Sequence, residues 1–192
     1  MGTMIRRESP VEYFKEMIEA ALSHQQVEAE DLTAHYLVNL LARFAFGDSP
    51  AHLGERPLGM LLVEALDSGG LVRNSLLRDV GDRSLFISGF FSDSLKRSLA
   101  DVDYYVALGA RAYQRLGEEN AVLRPVFLDL GQRFAVFVDV LSEVSERSAV
   151  MSNNDLLRLY EKWLRTRSRR DGELLAERGI VPNASVGRKF LQ

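Results

Sequence analysis

The chain has 192 residues, 46% of them hydrophobic and 27% charged, which is the composition of a folded globular protein long enough to build one sizeable core. Its 24 Lys and Arg against 27 Asp and Glu leave a formal net charge of -3, so no general attraction to nucleic acid or to an anionic membrane is expected. The absence of cysteine excludes disulfides, zinc–thiolate sites and thiol nucleophiles.

Apolar stretches are short. Ser84 to Ser92 runs about nine residues without a charge, roughly half of what a membrane-crossing helix needs. Arg6, Arg7 and Glu8 have no apolar run behind them, unlike a signal peptide. A cytoplasmic protein with no membrane segment is the resulting expectation.

The pattern along the chain predicts helices throughout. Ser9-Pro10-Val11-Glu12 has the residues of a capping box with proline in the first turn, and Val11, Phe14, Ile18, Ala21 and Leu22 follow at helical spacing. His24-Gln25-Gln26 interrupts this stripe. A second helix carries Leu32, Tyr36, Leu37, Leu40, Leu41 and Phe44 and stops at Gly47-Asp48-Ser49-Pro50. Pro50 to Pro57 reads as a loop. A third helix spans about Leu58 to Asp67 and ends at Ser68-Gly69-Gly70. A short fourth, Leu71 to Val80, is expected to close at Gly81. The fifth, at about 83–99, carries Leu85, Phe86, Ile87, Phe90, Phe91, Leu95 and Leu99 on all sides and is expected at the centre of the molecule.

A sixth helix covers about Ala100 to Leu116, with Gly117 as its expected terminator. Pro125 opens a seventh, whose stripe of Val126, Leu130, Phe134, Phe137, Val138, Leu141 and Val144 is the longest regular one in the chain. Ser152 to Asp155 caps an eighth, with Leu156, Leu157, Tyr160, Trp163 and Leu164 inward. No strand pattern and no fixed repeat is visible. The expected fold is therefore all-α: a single-domain bundle of about eight helices in mixed or orthogonal packing, spanning 4–168, followed by a short helix and loose tail at 169–192.

Motifs with chemistry are few. Asp67-Ser68-Gly69-Gly70 superficially resembles the nucleophile segment of trypsin-like serine proteases, but Leu66 stands before it instead of glycine and no strands are expected around it, so it reads as a helix end. No Gly-x-Ser-x-Gly elbow occurs. His24, His35 and His52 are the only histidines, and their spacings to Glu28, Asp31 and Glu55 do not repeat as a helical metal site requires. No catalytic residue, metal or cofactor is expected.

Two clusters remain as candidate binding residues. Phe86, Gly89 and Phe90 on the fifth predicted helix and Tyr105, Gly109 and Tyr113 on the sixth combine small residues with aromatic rings. Such residues either close two helices tightly together or line a small apolar pocket. Arg165, Arg167, Arg169 and Arg170 form a basic cluster near the C-terminus, which reads first as a solvated helix end and second as a weak nucleic-acid contact. A helix-turn-helix around Ser68-Gly69-Gly70 is opposed by Asp67 and Asp79.

Without a catalytic constellation, the leading expectation is a non-catalytic helical interaction or scaffold module. It is expected to self-associate as a homodimer, with Phe46 and Tyr13 among its exposed aromatics. A small-molecule sensor or carrier with a pocket between the fifth and sixth predicted helices is the alternative, and a weak nucleic-acid-binding regulator the second.

Overall fold

The computed structural model describes residues 9–46, 56–91 and 102–148, with Trp163, Arg169, Gly172 and Leu175 beyond them; the side chains at 45 and 46 fall outside that description. The described residues form seven helices and no strand: α1 (Pro10–His24), α2 (Asp31–Phe46), α3 (Leu58–Asp67), α4 (Gly70–Phe90), α5 (Val102–Glu119), α6 (Arg124–Gln132) and α7 (Phe134–Arg147). The all-α class is thus observed. The expected eighth helix and the second half of the expected 83–99 helix lie outside the described residues, apart from the four single positions, each of which is helical.

Local chemistry explains the ends of α1. Ser9 Oγ accepts from the Glu12 amide (3.2 Å) and Glu12 accepts from the Ser9 amide (3.1 Å), the reciprocal capping box expected from the sequence. At the other end Gln26 takes a left-handed conformation (φ 55), with Val27 N–H donating to Leu22 O (2.9 Å) and Gln26 N–H to Ser23 O (3.2 Å). This pair of bonds is a Schellman motif that satisfies the last carbonyls of the helix.

Helix α4 corrects the sequence reading. It runs unbroken from Gly70 to Phe90, merging the predicted fourth helix with the first part of the fifth. Gly81 was expected to end a helix because glycine does so often; here its missing Cβ makes room for a neighbour instead. A Cβ at 81 would stand 2.5 Å from the Tyr113 ring of α5. The glycine that the backbone itself requires is Gly70, at φ +56 in the first turn.

Gly117 likewise does not end α5, which continues to Glu119; it lies buried against Leu128 of α6. The stripe from Val126 to Val144 is carried by two helices instead of one, because the backbone leaves helical geometry at Arg133 (φ -113, ψ 29). There the Arg133 guanidinium donates two hydrogen bonds to Glu28 O, both 2.8 Å, and lies 5.0 Å from the Phe137 ring centre.

α4 occupies the middle. It packs most extensively on α5, then on α7 and α3, and touches α2; α5 packs on α6, while α1 bridges α2 and α7. From Val80 to Phe86 every residue of α4 is buried. The core around it includes Phe14, Ile18, Leu37, Leu41, Leu77, Leu85, Tyr113, Leu116, Phe127, Leu130, Phe134 and Phe137. Trp163 and Leu175 are buried as well.

Close approach of α4, α5 and α7 depends on small residues meeting large ones. A Cβ at Gly109 would clash with the edge of the Phe134 ring and stand 2.7 Å from Ser84 Cβ, and one at Gly89 would lie 2.6 Å from Leu141 Cβ. Gly109→Leu should therefore destabilise the protein by about 1 to 3 kcal/mol, because neither Phe134 nor Ser84 has space to retreat. Urea unfolding of the variant checks this, and unchanged or increased stability would mean that the helices part more easily than their packing implies.

Candidate functional site

Among the described residues, the most concentrated chemistry surrounds one carboxylate. Asp82, in the middle of α4, is 1% exposed. Its Oδ1 accepts from two tyrosine hydroxyls, Tyr36 of α2 (2.6 Å) and Tyr113 of α5 (2.7 Å). Its Oδ2 accepts from the Arg43 guanidinium of α2. Arg78, one turn earlier on α4, stands 4.0 Å from Oδ2 and donates to the Tyr36 hydroxyl at 3.2 Å. Tyr36 and Arg43 are seven residues apart and Arg78 and Asp82 four, so each pair shares one face of its helix.

Aromatic rings enclose this centre. Tyr36 meets Phe127 of α6 edge-on (5.4 Å between centroids) and Tyr113 stacks on Phe127 (5.9 Å). Arg78 lies 5.3 Å from the centre of the Tyr36 ring, and Arg43 5.0 Å from that of Phe44. Both guanidinium side chains remain about half exposed, so the charge is buried at its acidic end and wet at its basic end. Arg83 pairs separately with Asp79 at 2.6 Å.

Such a cluster positions helices; it offers no base to a substrate. Both Asp82 oxygens are already engaged, and removing a buried charge from water is compensated only while all these donors stay in place. Burial pushes the ionisation of both tyrosine hydroxyls well above the usual tyrosine range, and the adjacent Asp82 charge pushes it further.

The six residues named as a pocket do not converge on one space. Phe86 (3% exposed) stacks on Phe44 of α2 (4.6 Å) and on Phe90 (5.2 Å), Gly89 abuts Leu141 of α7, and Gly109 abuts Phe134 of α7 and Ser84 of α4. Tyr113 reaches Asp82, while Tyr105 is half-buried against the core. The space beside Gly109, where a ligand was the alternative expectation, holds the Phe134 ring. An open cleft of about 560 Å³ lies elsewhere, lined by residues that include Glu28, Glu30, Pro125, Asp129 and Arg133.

Of the basic cluster, Arg169 is described and exposed on a helical residue; Arg165, Arg167 and Arg170 lie outside the described residues. Among the described residues no group of three or more His, Asp or Glu is placed to hold a metal ion. No helix among them is long and apolar enough to cross a membrane.

The surface carries a second notable feature. On α3, Leu58, Leu61, Leu62 and Ala65 are buried, yet Met60 (60% exposed), Val63 (59%) and Leu66 face outward, and they are followed at the start of α4 by the exposed Leu71 and Val72. Aliphatic residues exposed singly are unremarkable; five between Met60 and Val72 concentrate apolar surface on α3 and the first turn of α4, and concentrated apolar surface marks contact sites. The hairpin is held in place at its turn, where Arg73 Nε donates to Ser68 O (2.7 Å) and Arg73 pairs with Glu119 at the end of α5 (2.9 Å).

Sequence reasoning placed contact residues at Tyr13 and Phe46 instead. Tyr13 is half-buried, edge-on to Phe14 at 5.3 Å and packed on the core, and the Phe46 side chain lies outside the description. The available signal was the all-round apolar composition of 58–66, which is too much for a ten-residue helix to bury against one neighbour. Comparisons of the chain with protein-family models, curated proteins and solved structures find no match.

Removing the central carboxylate leaves three donors facing a buried gap, so Asp82→Ala should cost about 3 to 5 kcal/mol, and Tyr113→Phe about 2 kcal/mol, in denaturant unfolding. The tyrosines also set an alkaline limit. Because folding raises their pKa values, unfolding releases their protons once the pH exceeds the ordinary tyrosine range of about 10. Their contribution is intact below that pH and is lost as the pH climbs, at about 1.4 kcal/mol per pH unit for each tyrosine. Tyr113→Phe should remove one such share of the slope, measured from unfolding midpoints between about pH 9 and 12. An unaltered slope would mean that Tyr113 does not stay protonated in the folded state.

Proposed function

We propose that this chain is a non-catalytic helical interaction module of the scaffold or regulatory kind, and that it associates with itself. The observation supporting the reading is the aliphatic exposure along α3 and the first turn of α4, where Met60, Val63, Leu66, Leu71 and Val72 stand in water, the first three on a helix whose other side is anchored in the core. A monomer gains nothing from keeping those five side chains wet, whereas covering them on association releases water from apolar surface.

The buried acid cluster fits the same reading. A charge held by two tyrosines and an arginine ties α2, α4 and α5 into one frame on which a docking face can be held rigid, and this lowers the ordering cost of association. Contacts made through so small a face belong to the weak, concentration-dependent class.

Light scattering and sedimentation over a concentration series test the proposal. The expected result is a mass that rises from 21.6 kDa toward twice that value as concentration reaches about 100 µM. A mass that stays at one chain across the series would overturn self-association.

A further inference from the structure

The order of residues along the outer face of α3 has a symmetry that says what kind of surface it fits. Asp67 is the last residue of the helix, Val63 and Met60 stand one and two turns before it, and Arg56 precedes the N-cap Pro57. Met60, Val63 and Asp67 are spaced three and four apart and so share one face. Arg56 belongs to the same face, because its guanidinium reaches forward to pair with Glu64, a neighbour of Met60 one turn along. From one end to the other the stripe therefore reads basic, apolar, apolar, acidic.

That order is self-complementary when reversed. Two such helices laid antiparallel, with Met60 of one opposite Val63 of the other, are brought by the same register into further matched pairs. Arg56 comes opposite Asp67 at both ends, and Pro57 opposite Leu66. A two-fold axis needs each patch to match itself in this way, and here it is met in charge and in apolarity. A parallel arrangement would instead set Asp67 against Asp67 and align the helix dipoles unfavourably.

We propose that the occupant of the α3 face is a second copy of this chain, docked antiparallel about a two-fold axis between Met60 and Val63, with Arg56 of each copy paired to the partner's Asp67. This rests on the self-association reading and adds to it the surface and the register. Leu71 and Val72, on the same hairpin, extend the contact beyond the length of about 15 Å that ten helical residues provide.

Single charge reversals test the register. Arg56→Asp and Asp67→Arg each place like charges opposite one another at both ends and should weaken the dimer by about tenfold in sedimentation equilibrium, with unchanged circular dichroism. Mixing the two variants in equal amounts restores opposite charges at both ends, so the mixture should recover the dimer as a heterodimer. A second measurement uses the absence of native cysteine. A mixture of Met60→Cys and Val63→Cys chains should form a cross-chain disulfide under mild oxidation faster than either variant alone.

If the unaltered chain dimerises but the reversals leave its affinity unchanged, or the mixture fails to recover, or the thiols fail to join, the antiparallel α3 contact is wrong while self-association stands. If the unaltered chain remains a monomer throughout, both fall together.

Discussion

Burying one carboxylate in the middle of a central helix constrains nearly every neighbour of that helix. Asp82 cannot sit at 1% exposure without donors, and helix α4 supplies only the distant Arg78 from its own preceding turn. The remaining donors come from outside: Tyr36 and Arg43 from α2, Tyr113 from α5. The rotation of α2 and α5 about their own axes is thereby set, because a turn of either one would swing its hydroxyl or guanidinium away and leave a charge unpaired. Apolar packing alone tolerates slippage that a directional cluster does not. The cluster need not add net stability to have this effect; its cost when broken is what makes alternative packings unfavourable.

The route of Tyr113 to that carboxylate passes over Gly81, and Gly81 is what keeps α4 and α5 close enough. The same device recurs at Gly109, beneath Phe134, and at Gly89, beneath Leu141. Each glycine is tolerated inside a helix, where it costs backbone entropy, because a large side chain from the facing helix fills the space its Cβ would occupy. Glycine and large side chains thus act as matched halves of one joint, and the core closes without a ligand-sized gap at these positions.

This explains which parts of the fold were legible in the sequence. Helical periodicity, the Ser9–Glu12 capping box, the break after His24 and the α3 limits follow from local rules, and the structure has them where those rules put them. Gly81, Gly117 and the Val126–Val144 stripe misled because their meaning is tertiary: a glycine stops a helix or admits a neighbour depending on what stands opposite, which spacing does not encode. Asp82 was invisible for a related reason. Beside Arg78 at four-residue spacing it has the form of an ordinary exposed ion pair, and only the approach of Tyr36 and Tyr113 from helices far apart in sequence reveals it as buried. The requirement that buried tyrosine hydroxyls find partners was a usable hint, but it did not name the partner.

Polarity is thus inverted in two places, and the two are mechanically linked. A charge lies inside on α4, while aliphatic side chains lie outside on α3 and the first turn of α4. Helix α3 packs mainly on α4, through Leu58, Leu61, Leu62 and Ala65, with a smaller contact to α5. Its outward face therefore inherits its orientation from the helix that Asp82 holds in register. A local failure of the acid cluster would loosen α4 against α2 and α5 and so disturb the platform beneath Met60 and Val63, although no residue of the cluster belongs to that face. The self-association proposed for this surface would need such support more than most contacts: in a two-fold contact any tilt of the helix is repeated in the partner, so the mismatch between the two stripes is double the tilt of either one.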